Sequence, residues 1–178
     1  MNRLLFGLVA LVGLVGASDV KGQISFGGQF SVTDLGTEAA QTGETVGLGG
    51  RMGVEVWQQG SARVVVEAVG DAFFPPCGQI DCSLYGVQLN VLGLLANSES
   101  SRVYGGLGLV YQNYLLEDDA AGTAVEGSGV GASLIIGIAW IARPIFEPFF
   151  EIRLSAVRTM SRQASGQIGF RLTPGARP

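Results

Sequence analysis

The chain has 178 residues, a formal net charge of −4, 47% hydrophobic residues and a mean hydropathy of +0.37. One domain fits that length, and the acidic balance argues against nucleic acid as a partner. There is no histidine and there are only two cysteines. A zinc site or a Ser-His catalytic pair therefore has no ligands to draw on, and no metal, cofactor or catalytic residue is expected.

In chain order, Met1-Asn2-Arg3 supplies one positive charge and Leu4 to Ala17 is an apolar run. Val15-Gly16-Ala17 puts small or apolar residues where a signal peptidase reads. Basic start, short apolar core and small-residue exit predict a cleaved signal peptide within residues 1–22, cut after Ala17 or after Gly22. About 14 apolar residues fall short of the ~20 that a spanning helix needs. The longest later run, Leu134 to Ala142, is broken by Gly137.

Residues 23–178 read as one β domain. Strands are expected near 24–34, 45–57, 61–74, 83–95, 102–114, 129–142, 146–157 and 164–172, each at or above the ~9–11 residues of a tilted membrane strand. The first is the clearest: Ile24, Phe26, Gly28, Phe30 and Val32 share one face, while Ser25, Gly27, Gln29, Ser31 and Thr33 share the other. Successive side chains of a strand point to opposite faces, so each segment has an oily side and a wet side. A chain this apolar, without spanning helices, places its oil on strands. In a bilayer strands must close on themselves to satisfy their backbone. The expected fold is all-β: an eight-stranded antiparallel up-and-down transmembrane β-barrel. The connections 58–60, 96–101 and 143–145 are short, whereas 35–44, 75–82, 115–128 and 158–163 are longer, as in barrels with short periplasmic turns and long external loops. The 115–128 loop is acidic, with Glu117, Asp118, Asp119 and Glu126.

The wet face carries Arg51, Glu55, Arg63, Glu67, Asp71, Arg102, Glu147, Glu151, Arg153 and Arg171, five arginines against five carboxylates. Gln88, Asn90, Gln112 and Gln167 join them, with Gly47, Gly49, Gly53, Gly106, Gly108, Gly137 and Gly169 between. A narrow interior filled by long side chains needs such glycines, and eight strands leave room for side chains and little else. A salt-bridged interior network with no steady conductance is expected, and alanine at both Arg51 and Glu67 is expected to open a small leak. In the hairpin at Gln58-Gln59-Gly60, a three-residue loop with Gly60 left-handed would set Glu55 across from Arg63 and Arg51 across from Glu67. On the oily face, Trp140, Phe146 and Phe170 gather near the short turns, and Phe74, Tyr85 and Tyr111 near the long loops, resembling two interfacial girdles. Cys77 and Cys82, five apart in a chain bound for an oxidising compartment, predict a disulfide.

Phe146-Glu-Pro-Phe-Phe-Glu-Ile-Arg-Leu154 and Ser165-Gly-Gln-Ile-Gly-Phe-Arg-Leu172 look like the penultimate and closing strands of the OmpA-like outer-membrane β-barrel family. With the leader, the strand count and the loop asymmetry, residues 24–172 resemble that family. The family's closing strand usually ends the chain on an aromatic; here Phe170 is followed by Arg171-Leu172 and six more residues. The resemblance implies a bacterial outer-membrane location, insertion by the barrel assembly machinery, the lipid bilayer as surroundings, and a non-enzymatic role in the envelope or at the surface. An extracellular partner would be met through the loops. Two other readings stand beside it: a narrow or gated pore for small solutes, and a soluble barrel with its apolar face turned inward around a ligand. Alternation alone does not say which face is inside.

Overall fold

The computed structural model describes residues 23–36, 41–75, 81–118, 123–143, 145–158 and 162–174. The predicted signal peptide lies outside them. Eight strands follow in chain order: β1 (Ile24–Gly36), β2 (Gln41–Gln59), β3 (Ala62–Phe74), β4 (Asp81–Asn97), β5 (Ser101–Asp118), β6 (Thr123–Trp140), β7 (Phe146–Val157) and β8 (Arg162–Leu172). Each pairs antiparallel with its sequence neighbour, and β8 pairs back onto β1, closing the barrel. Closure leaves no open sheet edge along the paired rows, which is how a strand protein manages its unpaired backbone.

The stagger of the barrel can be followed residue by residue. Ile24 pairs with Val54, then in turn come Val66, Val91, Leu107, Leu134, Leu154 and Ala164, and the row returns to β1 at Asp34, ten residues along. Such an offset requires strands tilted by ~35–45° to the barrel axis. From Ile24 to Ala164 every residue in this row is uncharged and faces outward, so one apolar band winds round the whole barrel. Leu48, Leu109, Val130, Ile136 and Ile168 extend it. The polar set faces in. This orientation excludes the soluble alternative, in which the apolar face would enclose a ligand.

Two bulges at the short-turn end adjust what alternation predicts. On β2, Glu55 pairs with Val65 and Trp57 with Val64, so Val56 is the extra residue. The turn is Gly60-Ser61 between Gln59 and Ala62, not the expected three-residue loop. Gly60 has φ +61° and no other residue in it has a positive φ, as in a II′ turn with glycine first. The expected facing pairs are therefore corrected: Glu55 lies opposite Val65, and Glu67 lies opposite Gly53. A shift of two residues keeps every side chain on its face, so the charges stay inside and meet diagonally. The bulge also turns Trp57 outward, where it joins Trp140, Phe146 and Phe170 near the short turns; the last two rings stack at 5.9 Å. The second bulge is at Leu95, between Leu94↔Tyr104 and Ala96↔Val103.

At the other end the strands outrun the prediction. The expected loop 115–128 is largely a hairpin, paired from Leu115↔Glu126 to Asp118↔Thr123. The expected loop 35–44 likewise holds the pairs Asp34↔Glu44 and Gly36↔Gln41. Backbone hydrogen bonds continue where apolar alternation stops, because pairing needs no buried face.

Inside, the glycines have a specific task. Tyr104 covers Gly137, Phe149 covers Gly169, Phe73 covers Gly47, Leu92 covers Gly106, Asp71 covers Gly49 and Asn90 covers Gly108. Each is a direct cross-strand pair. A large inward side chain fits this narrow lumen by lying over a neighbour that has none.

Candidate functional site

The interior is built in layers from the short-turn end upward. At the mouth, Arg63 of β3 pairs with Glu55 of β2 at 3.3 Å, and Arg102 of β5 pairs with Glu147 of β7. These pairs line an open cavity of about 320 Å³ together with Val65, Leu92, Tyr104 and Arg171. Above it lies an apolar cluster of Leu92, Tyr104, Ile135, Ala139 and Phe149, with Val65 packed against it.

Next comes a charged lattice. Arg51 reaches Glu67 and Glu151, both at 3.3 Å. Arg153 pairs with Glu151 at 2.5 Å. Arg171 pairs with Glu67 at 3.2 Å and lies 3.7 Å from Glu151. Arg51 donates from Nε to Gln29 Oε1 at 2.7 Å and from Nη2 to Gln167 Oε1 at 3.2 Å. Gln29 in turn donates to Asp71 at 2.5 Å, and the Tyr104 hydroxyl donates to Glu151 at 3.0 Å. The Arg51 guanidinium sits 4.0 Å from the Phe149 ring centroid, and Arg171 packs over Tyr104 and Phe149 at 4.6 and 4.8 Å. Cation–π contact with a desolvated guanidinium is favourable, so the aromatic cluster forms the floor of the lattice. Near the long loops, Phe73, Leu84, Val110 and Val157 pack together with Tyr114 beside them, and Gln112 of β5 donates to Gln163 of β8 at 3.0 Å.

All ten charged residues read from the sequence point into the barrel, but they divide into two groups. Arg51, Arg153 and Arg171 with Glu67, Asp71 and Glu151 form the deep lattice; Arg63, Arg102, Glu55 and Glu147 form the mouth pairs. Cys77 lies outside the described residues. The apolar interior residues were missed at the sequence level, although a signal existed. Phe149 falls between Glu147 and Glu151, and Val69 between Glu67 and Asp71, so strand alternation puts both on the charged face.

Chemically, the lattice is suited to rigidity. Glu151 is held by three arginines and a tyrosine, and Glu147 by Arg102. The mouth pair differs from the deep lattice: the Arg63 and Glu55 side chains are 25% and 11% exposed. Solvent screens such a pair, so a double-mutant cycle of Arg63→Ala and Glu55→Ala, read by denaturant unfolding, is expected to give a coupling of only about 0.2–1 kcal/mol. A coupling of several kcal/mol would show the mouth to be as dry as the lattice.

No protein-family model matches the sequence, and no curated protein matches it. Solved structures do. Neisserial surface protein A (NspA) superimposes with a TM-score of 0.63 at 13% identity, over 84% of this chain and 96% of that one. Ail, the attachment invasion locus protein of Yersinia pestis, also gives 0.63, at 14% identity over 85% and 97%. The N-terminal β-barrel domain of Pseudomonas aeruginosa OprF gives 0.56, at 14% identity over 85% and 100%. Eight antiparallel strands closed by β8 on β1 are the architecture shared with these structures, and the fold of this chain is that of the small eight-stranded outer-membrane β-barrels.

Proposed function

We propose that this protein is a non-enzymatic outer-membrane β-barrel of a bacterium, with a structural or surface-interaction role carried by its long-loop end. The observation that carries the reading is the uncharged band running from Ile24 round to Ala164, bordered by Trp57, Trp140 and Phe170 on one side and Phe74 and Tyr85 on the other. Such a surface matches a hydrocarbon layer with aromatic girdles. A signal peptide within residues 1–22 would deliver the chain to the envelope, and the barrel assembly machinery would insert it with the short turns in the periplasm. The names of two structural neighbours, a surface protein and an attachment invasion locus protein, agree with loops that meet the exterior. The filled lumen speaks against a standing pore.

Fractionation tests this. The protein is expected in the outer-membrane fraction, soluble only in detergent, with a gel mobility that changes on boiling. Recovery as a detergent-free soluble protein would refute the location.

We further propose a Cys77–Cys82 disulfide at the tip between β3 and β4. The chain has no third cysteine to compete, and the four intervening residues allow a compact ring. Alkylation of protein from its native envelope is expected to leave the intact mass unchanged without reductant and to add two alkyl groups after reduction. Two alkyl groups without reductant would overturn the pairing.

A further inference from the structure

The open cavity of about 320 Å³ at the short-turn mouth has the volume of a small-molecule site, at the lower end of the usual ~300–1,000 Å³. Its chemistry is zoned by depth. Val65, Leu92, Tyr104 and Ala139 line its inner part. Two residues nearer the turns, on the same inward face of each strand, stand Arg63 and Arg102; Glu55 and Glu147 are their partners. Leu94 and Ile141 continue the apolar wall out to that level. Val65, Leu94 and Ile141 are only half-buried. Apolar wall therefore faces a space that is open to water, and covering it is favourable.

The rim pairs leave their cations accessible. Arg63 meets Glu55 through Nη1, and Arg102 meets Glu147 through Nη1. A guanidinium offers five N–H donors, so most of each fork is unused; among the described residues Arg102 Nε has no hydrogen-bond partner. The two arginine side chains are 25% and 23% exposed, against 11% and 12% for their glutamates, so an incoming anion meets guanidinium first. Leu94 pairs with Tyr104, and the neighbouring pair Val64↔Gly93 sets it beside Arg63. An apolar wall and a planar cationic fork thus share one small opening. Screened pairs of this kind contribute little to stability, so the barrel does not depend on them to stay folded.

We propose that this cavity binds a medium-chain aliphatic anion, a carboxylate or a phosphate. The chain enters first and covers Leu92, Leu94, Val65 and Ala139. The head group stays at the rim and accepts hydrogen bonds from the unused donors of Arg63 and Arg102, the geometry in which an arginine fork holds such oxygens. Both arginines keep their glutamates through Nη1. The site needs only the folded barrel; that it opens to the periplasm rests on the orientation proposed above.

Photolabelling tests the site, with the full chain folded into nanodiscs of a zwitterionic lipid. The probe is octanoate carrying a diazirine at its far end, and labelled positions are read by peptide mass. Label is expected on the inward mouth residues of β4 and β6, around Leu92, Leu94 and Ala139. Octanoate is expected to compete it away, and octanol at the same concentration is not. Arg63→Gln with Arg102→Gln is expected to lower this labelling on the order of tenfold, and Leu94→Gln to lower it as well, while label at the outward Leu95 stays unchanged. Octyl phosphate is the second competitor. If it matches octanoate, the site takes either head group; if it fails, the site is specific for a carboxylate. Label confined to outward residues would show partition into the bilayer and no site. Equal competition by octanol would show that the arginines hold nothing. Either result overturns the proposal. The competition arm uses the unmodified chain, so it decides the matter even where a variant does not fold, as judged by heat-modified gel migration. Failure of the membrane location would appear in fractionation, independently of the labelling pattern.

Discussion

Replacing Glu151 with alanine is expected to cost the barrel about 3–5 kcal/mol of stability. Glu151 is fully buried and meets Arg51 at 3.3 Å, Arg153 at 2.5 Å and the Tyr104 hydroxyl at 3.0 Å, with Arg171 at 3.7 Å. Without it, Arg51 and Arg171 still share Glu67, but among the described residues Arg153 keeps no ion pair. A buried charge left alone costs more than its pair ever contributed, since its hydration was already lost on folding. Equilibrium unfolding followed by tryptophan fluorescence is a suitable readout, because Trp57 and Trp140 both face outward. The double variant with Arg153→Ala should lose much less than the sum of the two single losses. If Glu151→Ala stays within about 0.5 kcal/mol of the parent, the range of ordinary surface changes, then the lattice does not hold the barrel together.

The second large effect is steric. A Cβ added at Gly137 would run into the Tyr104 ring, with the hydroxyl 2.5 Å away. Gly137→Val must therefore push the ring out of its place. Overpacking of this kind costs about 1–3 kcal/mol, and displacing the Tyr104 hydroxyl from Glu151 adds about 1.5–3 kcal/mol for a hydrogen bond to a charged group. Tyr104→Ala in the same chain removes the obstacle, so the double variant should be less destabilised than the two single effects added together. Strict additivity in denaturant unfolding would show that the glycine is there for some other reason than the ring. The same logic applies to Phe149 over Gly169 less cleanly, because a Cβ there also meets the carbonyl of Gly28.

Much of the fold was legible in the chain. The strand count, the two faces and the asymmetry between short and long connections all follow from period-two alternation. That pattern is local: each residue reports its own face by its own polarity. The charged interior set was legible for the same reason. Register was not. The bulge at Val56 and the tight Gly60-Ser61 turn moved the hairpin pairs by two residues without disturbing the polarity pattern, so nothing in the alternation marked the shift. The outward turn of Trp57 was hidden likewise, since by parity alone it falls on the inner face.

The sequence by itself determined that this protein is a ring of eight amphipathic strands with one face for oil and one for charge. Only the tertiary structure decided which face is inside, which arginine meets which carboxylate, and where apolar side chains pack within the lumen. Arg51 finds Glu151 across 100 residues of chain, and Thr33 bonds Ala164 across 131. Contacts of that separation exist only after β8 has met β1, because the ten-residue stagger of the closed barrel sets the height at which each side chain enters the lumen. Alternation fixes direction in or out, while closure fixes height, and the partners of an inward side chain depend on both.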